Sequence, residues 1–90
     1  MAIRIVTYDL NEEKKKRGDY TDLLKAIKSY AWARLSESSY AIESDEEPQA
    51  LFAKFKQHLD QNDFLLVLTL SRPWWGMQKQ EVLDWLLQRL

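Results

Sequence analysis

The sequence predicts an α+β domain. Two stretches near opposite ends of the chain alternate apolar residues as strands do, and three others repeat them at helical spacing. With only 90 residues, no second independent core can form, so residues 1–90 are read as one domain.

Ile3 to Leu10 is rich in β-branched and aromatic residues and reads as the first strand. Ile3, Ile5 and Thr7 fall on one face, and Val6, Tyr8 and Leu10 on the other. Both faces are largely apolar, which suits the middle of a sheet, with Asp9 delivered at the strand's end. Asn11 to Gly18 is charged, ends in glycine and reads as a surface loop. Asp19 then suits a helix cap, with Asp22 favouring the positive end of the helix. Tyr20, Leu23, Leu24, Ile27, Tyr30 and Ala31 recur at spacings of three and four as one stripe.

Trp32 to Ser44 has strand composition interrupted by Ser36-Glu37-Ser38-Ser39, which predicts two short strands joined by a turn or bulge. Asp45-Glu46-Glu47-Pro48 is a helix start, because proline fits the first turn and acidic residues suit the amino-terminal dipole. That helix is expected to run to about Leu59, burying Leu51, Phe52, Phe55 and Leu59 before the turn-forming Asp60 to Asp63. Phe64 to Leu70 is the most hydrophobic strand and is expected to be buried on both sides. Arg72-Pro73-Trp74-Trp75-Gly76-Met77 breaks the pattern as a loop or edge segment. From Lys79 to Leu90 a last helix carries Leu83, Leu86, Leu87 and Leu90, its stripe widened by Val82 and Trp85.

The order β, α, β, β, α, β with an added C-terminal helix is the split β-α-β arrangement of ferredoxin-like domains. Two helices there cover one sheet face, and the other face is polar if it meets water. Here the first and last strands are apolar on both faces. The second face therefore needs the terminal helix, a second copy of the chain, or both, and a homodimer formed sheet to sheet is expected. A chain this small buries only roughly 60 to 65% of its unfolded surface, so association adds useful burial.

Lys plus Arg number 13 against 14 Asp plus Glu, so no net positive field advertises a nucleic-acid partner. The basic run Lys14-Lys15-Lys16-Arg17 is flanked by Glu12, Glu13 and Asp19 and reads as a solvated loop. Without cysteine there is neither a disulfide framework nor a thiolate metal site. The opening Met1-Ala2-Ile3-Arg4 lacks a signal-peptide layout, and the apolar runs are far too short to span a bilayer. A cytoplasmic protein with no membrane partner is expected.

The opening strand ending Val6-Thr7-Tyr8-Asp9-Leu10, the helix leading into Tyr30-Ala31-Trp32-Ala33-Arg34 and the strand Ser38-Ser39-Tyr40-Ala41-Ile42 together resemble SinR-like proteins. These are small relatives of the CRISPR-associated endoribonuclease family, whose members also serve as the dimeric partner of the CRISPR integrase. The resemblance runs from the first strand to the fourth. It implies a ferredoxin-like homodimer in which the aspartate ending the first strand faces its symmetry mate. In nuclease members that aspartate helps to hold a divalent metal for phosphodiester hydrolysis. The catalytic and metal-binding role thus falls on Asp9, with magnesium as the cofactor, since magnesium is often held by one or two carboxylates plus substrate phosphates. The family's serine and aromatic, in a nucleic-acid-facing position, correspond to Ser39 and Tyr40. At the carboxyl end the chain departs from the family, placing the tryptophan loop and a leucine-rich helix where an additional strand usually contacts partners.

Each of these residues also has a structural reading. Asp9 can simply end a strand and bond the Asn11 loop, and Asn11, Glu12 and Glu13 can be solvated rather than supplement a metal. Arg34 and Arg72, near strand ends, are candidate phosphate contacts or structural ion-pair partners. His58 has no second His or Cys nearby and suits a helix end. Among Trp32, Trp74, Trp75 and Trp85, strand and helix spacing makes most of them core rather than base-stacking residues. Trp74 and Trp75, between Pro73 and Gly76, cannot easily both point inward, and with Trp85 on the terminal helix they form a candidate partner interface. Two rivals to the nuclease follow: a non-catalytic dimeric protein-interaction module, and a ribonuclease toxin of a toxin–antitoxin pair.

Overall fold

The computed structural model describes residues 2–10 and 20–90. The loop read at Asn11 to Gly18, its basic run and the Asp19 cap lie outside the described residues. The elements are β1 (Ile3–Asp9), α1 (Thr21–Ile27), β2 (Ala31–Ser36), β3 (Ser39–Glu43), α2 (Pro48–Lys56), β4 (Phe64–Leu70) and α3 (Gln80–Arg89). The strands form one antiparallel sheet in the order β2-β3-β1-β4. β1 is central, paired with β3 on one side and β4 on the other.

Alternation along the strands divides the core in two. Val6, Tyr40 and Ile42 point to one face, where they pack with Leu23 and Ile27 of α1 and Leu51 and Phe55 of α2. Ile3, Ala33 and Ala41 point to the other, where Val82 and Leu86 of α3 cover them. Burying an aliphatic or phenyl side chain completely contributes about 1.5 to 3 kcal/mol, so these clusters are what hold the helices against the sheet. No helix among the described residues is long and apolar enough to cross a membrane.

Three expectations need correction. β4 is an edge strand rather than one buried on both sides: Leu65 and Val67 pack against the first cluster, while Phe64 is 70% and Leu66 61% exposed on the second face. α3 lies over the other part of that face and leaves this part open. Next, the first helix ends at Ile27, not at Ala31. The Ser29 and Tyr30 amides turn back to the Ala26 and Ile27 carbonyls, and Tyr30 is drawn off the helix to set its ring edge-on to Phe55 and its hydroxyl on Glu46. Ala31 then opens β2. The second helix likewise stops at Lys56, three residues before Leu59, although Leu59 still packs on the first cluster.

Candidate functional site

The β1 register places Asp9 opposite Phe64 and Thr7 opposite both Ser39 and Leu66. Asp9, Thr7, Ser39, Phe64 and Leu66 therefore share the second face at one end of the sheet. Asp9 is exposed, and nothing among the described residues bonds its carboxylate. No group of three or more His, Asp or Glu side chains able to hold a metal ion occurs among the described residues. Among the described residues, a cation at Asp9 would find that single carboxylate and complete its shell with water or a ligand's oxygens.

Arg34 and Tyr40 lie opposite each other at the same end but on the first face. The Arg34 guanidinium donates from Nε to the Ser36 carbonyl at 3.1 Å and from Nη2 to the Glu37 carbonyl at 3.4 Å, and it lies 5.9 Å from the centre of the Tyr40 ring. It closes its own hairpin. Tyr40 is buried, packed edge-on against Trp32. The Ser39 hydroxyl is 2.6 Å from that of Ser36 across a bulge. Tyr8 caps the hairpin by donating to the Glu37 carbonyl. Burial pushes its hydroxyl above the ordinary 10.0, neighbouring Tyr40 adds to the rise, and Arg34 opposes it. Arg34 and Tyr40 thus meet on the first face while Ser39 points to the second, and the polar groups of Arg34 and Ser39 are taken up by bonds within the hairpin.

Arg72 follows the far end of β4, roughly 20 Å from Asp9's end by the rise of a seven-residue strand. There it donates to the Leu90 carbonyl. Beyond it, Pro73, Trp74, Trp75, Leu83, Leu87 and Leu90 line a groove of about 500 Å³. Trp74 is half-buried and packs on the second cluster, whereas Trp75 is 99% exposed. One ring anchors and its neighbour stands in solvent. Trp85 lies elsewhere, lining a separate cleft of about 540 Å³ between α3 and β2, with the Arg89 guanidinium 4.1 Å from its ring centre. The three tryptophans therefore do not form one surface.

Sequence reasoning overlooked a polar cluster where β3 leads into α2. Glu46 accepts hydrogen bonds from Tyr30, Lys54 and Ser44. Lys54 first and Tyr30 second hold its carboxyl below the ordinary 4.5. The Lys54 ammonium is raised by Glu46 and then Tyr30; burial, then the Glu46 bond, raises Tyr30. Arg4, 7% exposed, donates from Nε to the Glu46 carbonyl at 3.1 Å and from Nη1 to Thr69, its partner across the β1–β4 ladder. A cation within a strand apolar on both faces was the available signal. These groups satisfy one another, which marks a structural clasp. His58 sits past the end of α2, its amide on the Phe55 carbonyl.

No family model matches the chain, and no curated protein matches it.

Proposed function

We propose that the protein is a non-catalytic interaction module whose Trp74–Trp75 groove takes an apolar segment of a protein partner. The observation that carries this reading is the exposed Trp75 ring beside a groove walled by Leu83, Leu87 and Leu90. Large aromatic side chains in water next to apolar depressions are the usual anchors of protein interfaces. The scaffold reads as a ferredoxin-like domain, supported by the order β4-β1-β3-β2 when the sheet is taken from its other edge and by α1 and α2 sharing one face.

The test is peptide-display selection on the full chain. Binders should share a bulky apolar anchor and bind Trp75→Ala at least tenfold more weakly, a typical hot-spot loss, while its melting temperature stays unchanged. Binders indifferent to Trp75→Ala would reject the groove.

A second reading, a metal-dependent nuclease of the SinR-like kind, is favoured by the exposed Asp9 carboxylate at the end of the central strand, unbonded among the described residues. Magnesium- or manganese-dependent cleavage of RNA or DNA that disappears in Asp9→Asn would establish it. Absence of cleavage under either metal would remove it.

A further inference from the structure

The two edges of the sheet differ in chemistry. β2 is guarded: it carries Arg34, its ladder is broken by a bulge between Arg34 and Ser36, and the Gln78 side chain donates to the Leu35 carbonyl at 2.6 Å. Natural sheets blunt exposed edges with such devices. β4 has none of them. Its seven residues, Phe64-Leu65-Leu66-Val67-Leu68-Thr69-Leu70, include no charge and no proline, and the β1–β4 ladder is continuous from Ile3↔Leu70 to Asp9↔Phe64. Among the described residues, the only backbone hydrogen bonds reaching β4 come from β1. Phe64, Leu66 and Leu68 stand exposed along it.

We infer that the free edge of β4 pairs antiparallel with β4 of a second copy, joining two four-stranded sheets into one of eight strands. The strand is self-complementary about its centre. With Val67 opposite Val67 of the partner subunit, Leu66 faces Leu68 of the partner subunit and Phe64 faces Leu70 of the partner subunit. These are apolar pairs on the second face, and no charge opposes a like charge. Phe64, Leu66 and Leu68 leave roughly 300 to 400 Å² exposed, as large as the biggest apolar patch of many monomers. A standard interface buries about 800 Å² per partner. Edge pairing covers the flanks of these side chains and the paired backbone but not their outward surfaces, so each partner buries well under that area and the dimer lies at the small, weak end of specific interfaces. This inference stands apart from the Trp75 groove, which lies beyond the end of the strand. It also excludes a cation shared by two Asp9 residues. Three strand spacings of ~4.8 Å and six residues of ~3.3 Å rise would hold those carboxylates roughly 25 Å apart.

Sedimentation of the full chain across a concentration series, combined with amide hydrogen exchange, provides the test. The wild type should show a monomer–dimer equilibrium, with every amide from Leu65 to Leu70 protected at high concentration. In a lone edge strand only alternate amides, those facing β1, are protected. Leu66→Lys alters an exposed side chain and should keep the circular dichroism spectrum while dimerising at least tenfold more weakly and losing protection at alternate β4 amides. A wild type that stays monomeric, or one that dimerises with only alternate amides protected, overturns the inference. So does a Leu66→Lys protein that dimerises as well as the wild type. Should Leu66→Lys fail to fold, the wild-type exchange pattern decides on its own.

Discussion

A single acidic side chain, Glu46, ties β3, α2 and the segment after α1 together by receiving Tyr30, Ser44 and Lys54. Its carboxyl is held below 4.5, so the ionised form favours the fold. That contribution is complete above 4.5 and is lost as pH falls through the lower folded-state value. Lys54 and Tyr30 are raised, so theirs is complete below their ordinary values of 10.5 and 10.0 and is lost as pH rises through the higher folded ones. Glu46→Gln should therefore be less stable than the wild type between these limits, with the gap closing below pH 4.5. Urea midpoints measured against pH provide the check; parallel acid profiles would show that the carboxylate does not matter. Nothing in the run Asp45-Glu46-Glu47 marks Glu46 as the acceptor for Tyr30, Ser44 and Lys54, because that depends on what the fold brings opposite each carboxylate.

At the scale of elements, α3 depends on few anchors. Val82 and Leu86 are its buried residues, set against Ile3, Ala33 and Ala41. Leu86→Ala should cost about 2 to 5 kcal/mol, the range for a buried leucine. Leu87→Ala, at a position 60% exposed, should stay within about 0.5 kcal/mol. Equal losses in chemical denaturation would mean that α3 does not pack as described. The existence of this helix and its place on the second face were legible in the sequence, but its buried side was not: in place of the expected Leu83, Leu86, Leu87 and Leu90 stripe, Val82 and Leu86 are buried and Leu87 is exposed. The central place of β1 was expected too, although two apolar faces alone do not require it, since β4 carries the same pattern at an edge. The start of α2 was legible too, because Pro48 at a first turn has a local cause. The position of β4 was not. Composition reports that a strand wants apolar neighbours but not whether the chain supplies them, and Phe64 to Leu70 reads alike at a centre and at an edge. Arg4 escaped notice for a related reason: its acceptors, Glu46 and Thr69, lie 42 and 65 residues away.

On the scale of the whole molecule, the candidate site separates into parts. Asp9 and the Arg34–Ser39–Tyr40 hairpin stand at one end of the sheet, Arg72 and the tryptophan groove beyond the other, and Trp85 across α3. Sequence proximity joined Ser39 to Tyr40 and Trp74 to Trp75, yet strand alternation and the turn of the loop sent each pair to different surroundings. The guard on β2 has a consequence for stoichiometry. When two β4 edges pair around a twofold axis, the outer edges of the resulting sheet are both β2, and each carries the bulge, Arg34 and the Gln78 bond. A third chain finds no strand to extend. An uncharged run such as Phe64 to Leu70 belongs to the class that seeds fibres, and here the same molecule holds the terminator. Sedimentation should accordingly find monomer and dimer but no higher species, while removing the guard, not altering β4, should open the way to continued growth.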